Sequence, residues 1–172
     1  MSLNVFISRL LFIGITIHEM AHAFACLILG VRIRKIKLFS FTDGYVVHDE
    51  SRSYKNIIIS ISPFFFNILI AFLGILLLKK EMLLIYKVLI VWISISALFF
   101  SIPSRQDANN IFESVKKSYR LNQSLFKWLY KILLLPLTIF ILILSWLFKM
   151  LDQSFLIRII LILLWCYAIL II

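Results

Sequence analysis

Five apolar runs, at roughly residues 3–29, 57–78, 83–102, 132–148 and 155–172, leave this chain few ways to fold. A helix needs about 20 apolar residues to cross a hydrocarbon core of ~30 Å, and each run reaches or approaches that length. With 63% hydrophobic residues and a mean hydropathy of +1.05, a soluble domain of 172 residues has no interior large enough to hide them. The runs therefore predict a polytopic α-helical membrane protein with about five transmembrane helices. The first run is longer than a signal peptide's apolar region and lacks a basic segment before it, so it is expected to remain as a mature helix. Cys26 and Cys166 both fall inside apolar runs, which implies no disulfide framework.

The segments between the runs have patterns of their own. Residues 31–56 mix β-branched and aromatic residues around an Asp43-Gly44 turn signal, which predicts a short β-hairpin at the membrane surface. In residues 104–121, Ala108, Ile111, Phe112, Val115 and Tyr119 recur at helical spacing, which predicts an amphipathic helix lying on the interface. The chain thus divides into a core, residues 1–124, and a C-terminal transmembrane helix pair, residues 125–172. The pair carries no motif. Its Pro136 reads as a kink near a helix start and its Arg158 as a snorkelling cation.

Formal charge is +10, but the basic residues lie between apolar runs without interleaved aromatics, a pattern of membrane topology and not of nucleic-acid binding. Loops 31–56 and 103–131 hold 12 of the 18 Lys and Arg, leaving Arg9, Lys79, Lys80, Lys87, Lys149 and Arg158 elsewhere. The positive-inside rule then places both loops in the cytoplasm and the N-terminus outside the cell membrane.

Within the first run stands "HEMAH". His18 and His22 are four residues apart and share one helix face. That spacing lets two imidazoles hold one Zn²⁺, with Glu19 beside them as the general base of a metalloprotease. A charged side chain at mid-membrane costs on the order of 2.5–3.5 kcal/mol even on lenient insertion scales, so such residues usually carry a function. Three other readings stay open at this point. They are a polar pair bonding a neighbouring helix, a non-catalytic metal-binding protein that serves as partner or chaperone, and a bis-histidine haem or metal-transport module.

An HExxH inside an apolar helix, followed by a surface hairpin and two further spans, resembles the site-2 protease family of intramembrane zinc metalloproteases. The resemblance covers roughly residues 3–124 and implies His18 and His22 as zinc ligands and Glu19 as catalytic base. It also implies an Asp as third ligand and a polar Asn on the second helix. Asp107 is the candidate ligand, although Ala108 follows it where the family has Gly. Ser104 and Asp107 also spell a helix capping box, and that alternative stays open. His48, Asp49 and Glu50 are reserve ligands. Asn67 follows Pro63 in "SPFFFN", a variant of the family's Gly-Pro-x-x-Asn. It is a candidate oxyanion or substrate-carbonyl donor, or else a helix-to-helix hydrogen bond. Cys26, one turn past His22, is expected to pack in the core. The function expected is zinc-dependent cleavage of a membrane-protein or hydrophobic-peptide substrate within the lipid bilayer, with the hairpin edge holding the substrate extended.

Overall fold

The computed structural model describes residues 3–39, 44–120, 135–152 and 154–171. In hydrocarbon every backbone polar group must be satisfied within the segment, so the apolar runs become helices. The order is α1 (Leu3–Leu10), α2 (Phe12–Ile28), β1 (Ile33–Lys37), β2 (Tyr45–His48), α3 (Ser53–Leu78), α4 (Leu84–Phe99), α5 (Arg105–Arg120), α6 (Leu135–Leu151) and α7 (Phe155–Ile171). Large apolar side chains cover the outside, with Leu27 71% and Leu170 84% exposed, a surface suited to lipid and not to water.

The helices depart from the expected spans in ways that matter for the site. Among the described residues, α3 is the helix long and apolar enough to cross a membrane by itself, with 26 residues. At 1.5 Å per residue it runs about 39 Å. The first run is not one continuous helix. It breaks at Leu11, where Trp92 on α4 donates its indole N–H to the Leu10 carbonyl at 3.0 Å. The α4 helix stops at Phe99, short of the expected residue 102, because Pro103 disfavours helical backbone at Ile102. The C-terminal pair bends by 98° between α6 and α7.

Helices α2, α3 and α4 pack on one another and carry the site. Gly14 permits a close approach of α2 to α4, since a Cβ there would collide with the Ser96 carbonyl on α4 and the Phe100 ring. The α5 helix lies against α3 and α6. Its apolar face buries Ala108, Ile111 and Val115, while Phe112 stays 47% exposed. Ile57, Ile61 and Phe148 cover that face, so the expected interfacial helix has a protein partner for its stripe. The side chain of Tyr119 lies outside the described residues.

The two strands pair antiparallel from Ile33↔His48 to Lys37↔Tyr45, with an irregularity between Ile33 and Lys35. Gly44 therefore comes immediately before β2 and does not centre a two-residue turn. Asp43 lies outside the described residues. The Thr16 hydroxyl, 3.1 Å from the Leu38 carbonyl, ties the end of β1 to α2.

Candidate metal centre

On α2, His18 and His22 direct their Nε2 atoms at one carboxylate on α5. The His18 Nε2 lies 3.5 Å from Asp107 Oδ2, and the His22 Nε2 lies 3.3 Å from Asp107 Oδ1. All three residues are buried, and one ligand atom from each lies within 4.8 Å of the others.

Backbone carbonyls aim both imidazoles. The His18 Nδ1 donates to the Phe100 carbonyl at 2.7 Å, and the His22 Nδ1 donates to the Ile59 carbonyl at 2.8 Å. A carbonyl only accepts, so the proton of each neutral ring sits on Nδ1. Each Nε2 is left with a lone pair facing the shared point. Both acceptors are available for a reason. Phe100 is the C-cap of α4, where carbonyls lack intrahelical partners. Ile59 is four residues before Pro63, which has no N–H to give it. The Ser62 hydroxyl lies 2.8 Å from the same carbonyl.

Asp107 caps its helix and faces the histidines at once. Its Oδ2 accepts from the Ser104 N–H at 3.0 Å and from the Ser104 hydroxyl at 2.7 Å. Its own N–H lies 3.2 Å from Ser104 Oγ. The two sequence readings of this residue are therefore compatible. Ser101, Ile102 and Pro103 are buried, so the chain enters α5 from inside the bundle and brings Asp107 level with the histidines.

Glu19 shares with the cluster a cavity of about 370 Å³, whose wall also includes Gly44, Tyr45 and His48. A Cβ on Gly44 would collide with the Glu19 side chain, so bare backbone packs against this carboxylate arm. A second cavity, about 660 Å³, is lined by polar residues such as Asn56, Glu113 and Lys117. The two share Val46, His48, Ser60, Gln106 and Asn110, which makes a polar route to the cluster.

Other candidates lie apart from it. Asn67 is fully buried and its amide donates to the Phe100 carbonyl at 2.8 Å, beside the His18 bond. It lines neither of these two cavities, and its bond joins α3 to the end of α4. Asn67 Oδ1 has no partner among the described residues. His48 sits on the wall common to both cavities, its Nδ1 bonded to the Asp49 carbonyl at 2.9 Å. Asp49 pairs with Arg34. Glu50 pairs with Lys117, which holds its carboxyl below the ordinary value. Cys26 is buried with Ala25, Val31 and Ile59.

Sequence reasoning did not single out Ile59, Phe100 or the cavity-lining Asp152, and it read Gly44 only as a turn residue. Pro63 signals the first through its missing N–H. Phe100 contributes only a carbonyl, for which no side-chain signal exists.

Fold and site together define a helical, membrane-associated protein whose buried His-His-Asp cluster is suited to a metal ion. Residues 3–113 match the Peptidase M50B-like family, and the chain belongs to that family, the site-2 proteases. No curated protein and no solved structure matched the chain. The family match takes in His18, Glu19, His22 and Asp107, and ends before α6.

Proposed function

We propose that the chain is a zinc-dependent intramembrane endopeptidase, with His18, His22 and Asp107 as the metal ligands. The observation that carries this reading is the pair of Nδ1–carbonyl bonds, which leave two Nε2 lone pairs and one carboxylate converging, with no fourth protein ligand among the described residues. Two nitrogens and one oxygen with an open position suit catalytic zinc and not a closed structural site. Zinc, when bound, supplies a Lewis acid that acidifies water and polarises the scissile carbonyl.

Glu19 then acts as general base, taking the proton of the attacking water and delivering it to the departing amine. Residues of β2 border the same cavity, and its edge away from β1 pairs with no other strand among the described residues, which supports a substrate strand lying extended beside residues 45–48. The substrate is a membrane-protein segment or hydrophobic peptide, since the surroundings are apolar and the strand must leave its helix before cleavage. The polar route past Gln106 and Asn110 admits water.

The chain is multi-pass in the cell membrane, with its N-terminus outside and the cavity mouth in the cytoplasm. The α2 and α4 helices cross despite their 17 and 16 residues. A cysteine at position 54, in a background without Cys26 and Cys166, is expected to resist impermeant labels from outside intact cells. Labelling there would reverse the orientation.

Purified protein and its Glu19→Gln variant test the reading together. Both are expected to hold one zinc per chain, while cleavage of a co-expressed substrate falls by about 10²–10⁴-fold in the variant. Zinc without Glu19-dependent cleavage would indicate a non-catalytic metal protein instead.

A further inference from the structure

The C-terminal pair lies beyond the residues matched to the family, yet it reaches the metal-site cavity. Asp152, just after α6, is part of the cavity wall. Its Oδ2 accepts from the Arg105 N–H at 3.3 Å, the first residue of α5, and its Oδ1 accepts from Arg158 Nη2 at 2.8 Å. Arg158 also donates to the Asp152 carbonyl at 3.2 Å and lies 5.0 Å from the centre of the Phe99 ring. It is therefore no snorkelling cation but half of a partly buried ion pair.

Other contacts from α6 fall on the same turn. The Ser145 hydroxyl donates to the Ala108 carbonyl at 2.6 Å, and Lys149 reaches Asn109 Oδ1 at 3.3 Å. Phe148 is buried against Ile102, Ala108 and Ile111. The contacts converge on residues 105–109, with Asp107 in the middle.

A first helical turn has orphan N–H groups and frays unless they are bonded. Ser104 takes the N–H of Asp107, and Asp152 takes that of Arg105. Through Arg158 and Phe99, the same ion pair also touches the end of α4, next to the Phe100 carbonyl that orients His18. We infer that the C-terminal helix pair holds Asp107 in place, with Asp152 as a positioning residue for the metal centre. This rests on the metal-centre reading above. Metal sites lose about 10–100-fold in affinity when the groups orienting their ligands are removed.

The test uses full-length protein in detergent, zinc affinity by chelator competition, and the visible absorption of Co²⁺ placed in the site. Asp152→Ala is expected to lower zinc affinity about tenfold and to change the Co²⁺ bands at full loading. Asp152→Asn keeps an acceptor for the Arg105 N–H and is expected to recover most of the affinity and the wild-type bands. Lost packing alone would not alter the spectrum of a folded, loaded protein. A folded Asp152→Ala protein with wild-type affinity and bands overturns the inference. If that variant does not fold, Ser145→Ala replaces it, and wild-type values there overturn the inference equally. Wild-type protein that binds no zinc overturns the metal-centre reading itself, and this inference with it.

Discussion

The His22 imidazole donates at 2.8 Å to the Ile59 carbonyl, which Pro63 has released from the α3 ladder. A residue with no direct part in the site thereby sets the direction of the ring four residues on from His18. The proline's usual penalty inside a helix is offset by giving the freed carbonyl an imidazole and a hydroxyl in reach.

Pro63→Ala restores an N–H four residues from Ile59 and makes the helix compete with His22 for one carbonyl. Zinc affinity is expected to fall about tenfold, while thermal stability is unchanged or higher. Chelator competition and a detergent melting curve measure the two separately. Unchanged affinity would mean that His22 is aimed by something other than this carbonyl.

Asp107 and Ser104 divide capping from ligation. Asp107→Asn keeps a helix-start residue but loses the charge, so zinc occupancy and cleavage are expected to collapse with little loss of stability. Ser104→Ala removes the hydroxyl from Oδ2 and is expected to cost about 1 kcal/mol of stability with most of the zinc retained. Elemental analysis beside melting curves separates them. An Asp107→Asn protein with full zinc and activity would refute the ligand assignment and return attention to His48.

Gly44 is required for space and not for backbone conformation, because its φ is not positive. A methyl group there meets the Glu19 side chain. Gly44→Ala is expected to lower turnover on the order of 10²-fold while leaving zinc content at one per chain, since displacement of a catalytic group by about 1 Å has that effect. Steady-state kinetics with metal analysis checks it. A fully active variant would place the working position of Glu19 elsewhere.

Asn67 shares the Phe100 carbonyl with His18 and lines neither of the two cavities at the site. Asn67→Ala is expected to destabilise the protein by about 1 kcal/mol and to weaken zinc binding, with the KM for a peptide substrate unchanged. A raised KM at normal zinc affinity would return Asn67 to the role of a substrate contact.

Much of the arrangement was legible in the residues. Apolar runs marked the helices, because a backbone without water has no other solution in lipid. The i,i+4 spacing placed His18 and His22 on one face, because helical geometry is local. The β-branched and aromatic residues on either side of Gly44 indicated strands, and two antiparallel strands pair there, with Lys37 opposite Tyr45. Other decisions belong to the tertiary structure. Whether Asp107 reaches the histidines depends on how deeply residues 101–103 are buried, which is set by α3 and α6 packing around α5. The nitrogens left facing the centre depend on carbonyls of Ile59 and Phe100, far along the chain from the rings they orient. Asp152 touches the metal-site turn because α6 packs against α5 and ends beside its first residue. Residue type and short-range periodicity determine which groups are available. Contacts across 37 to 82 residues of sequence determine where the imidazoles point, because a helix fixes its own face but not what its neighbours present to it.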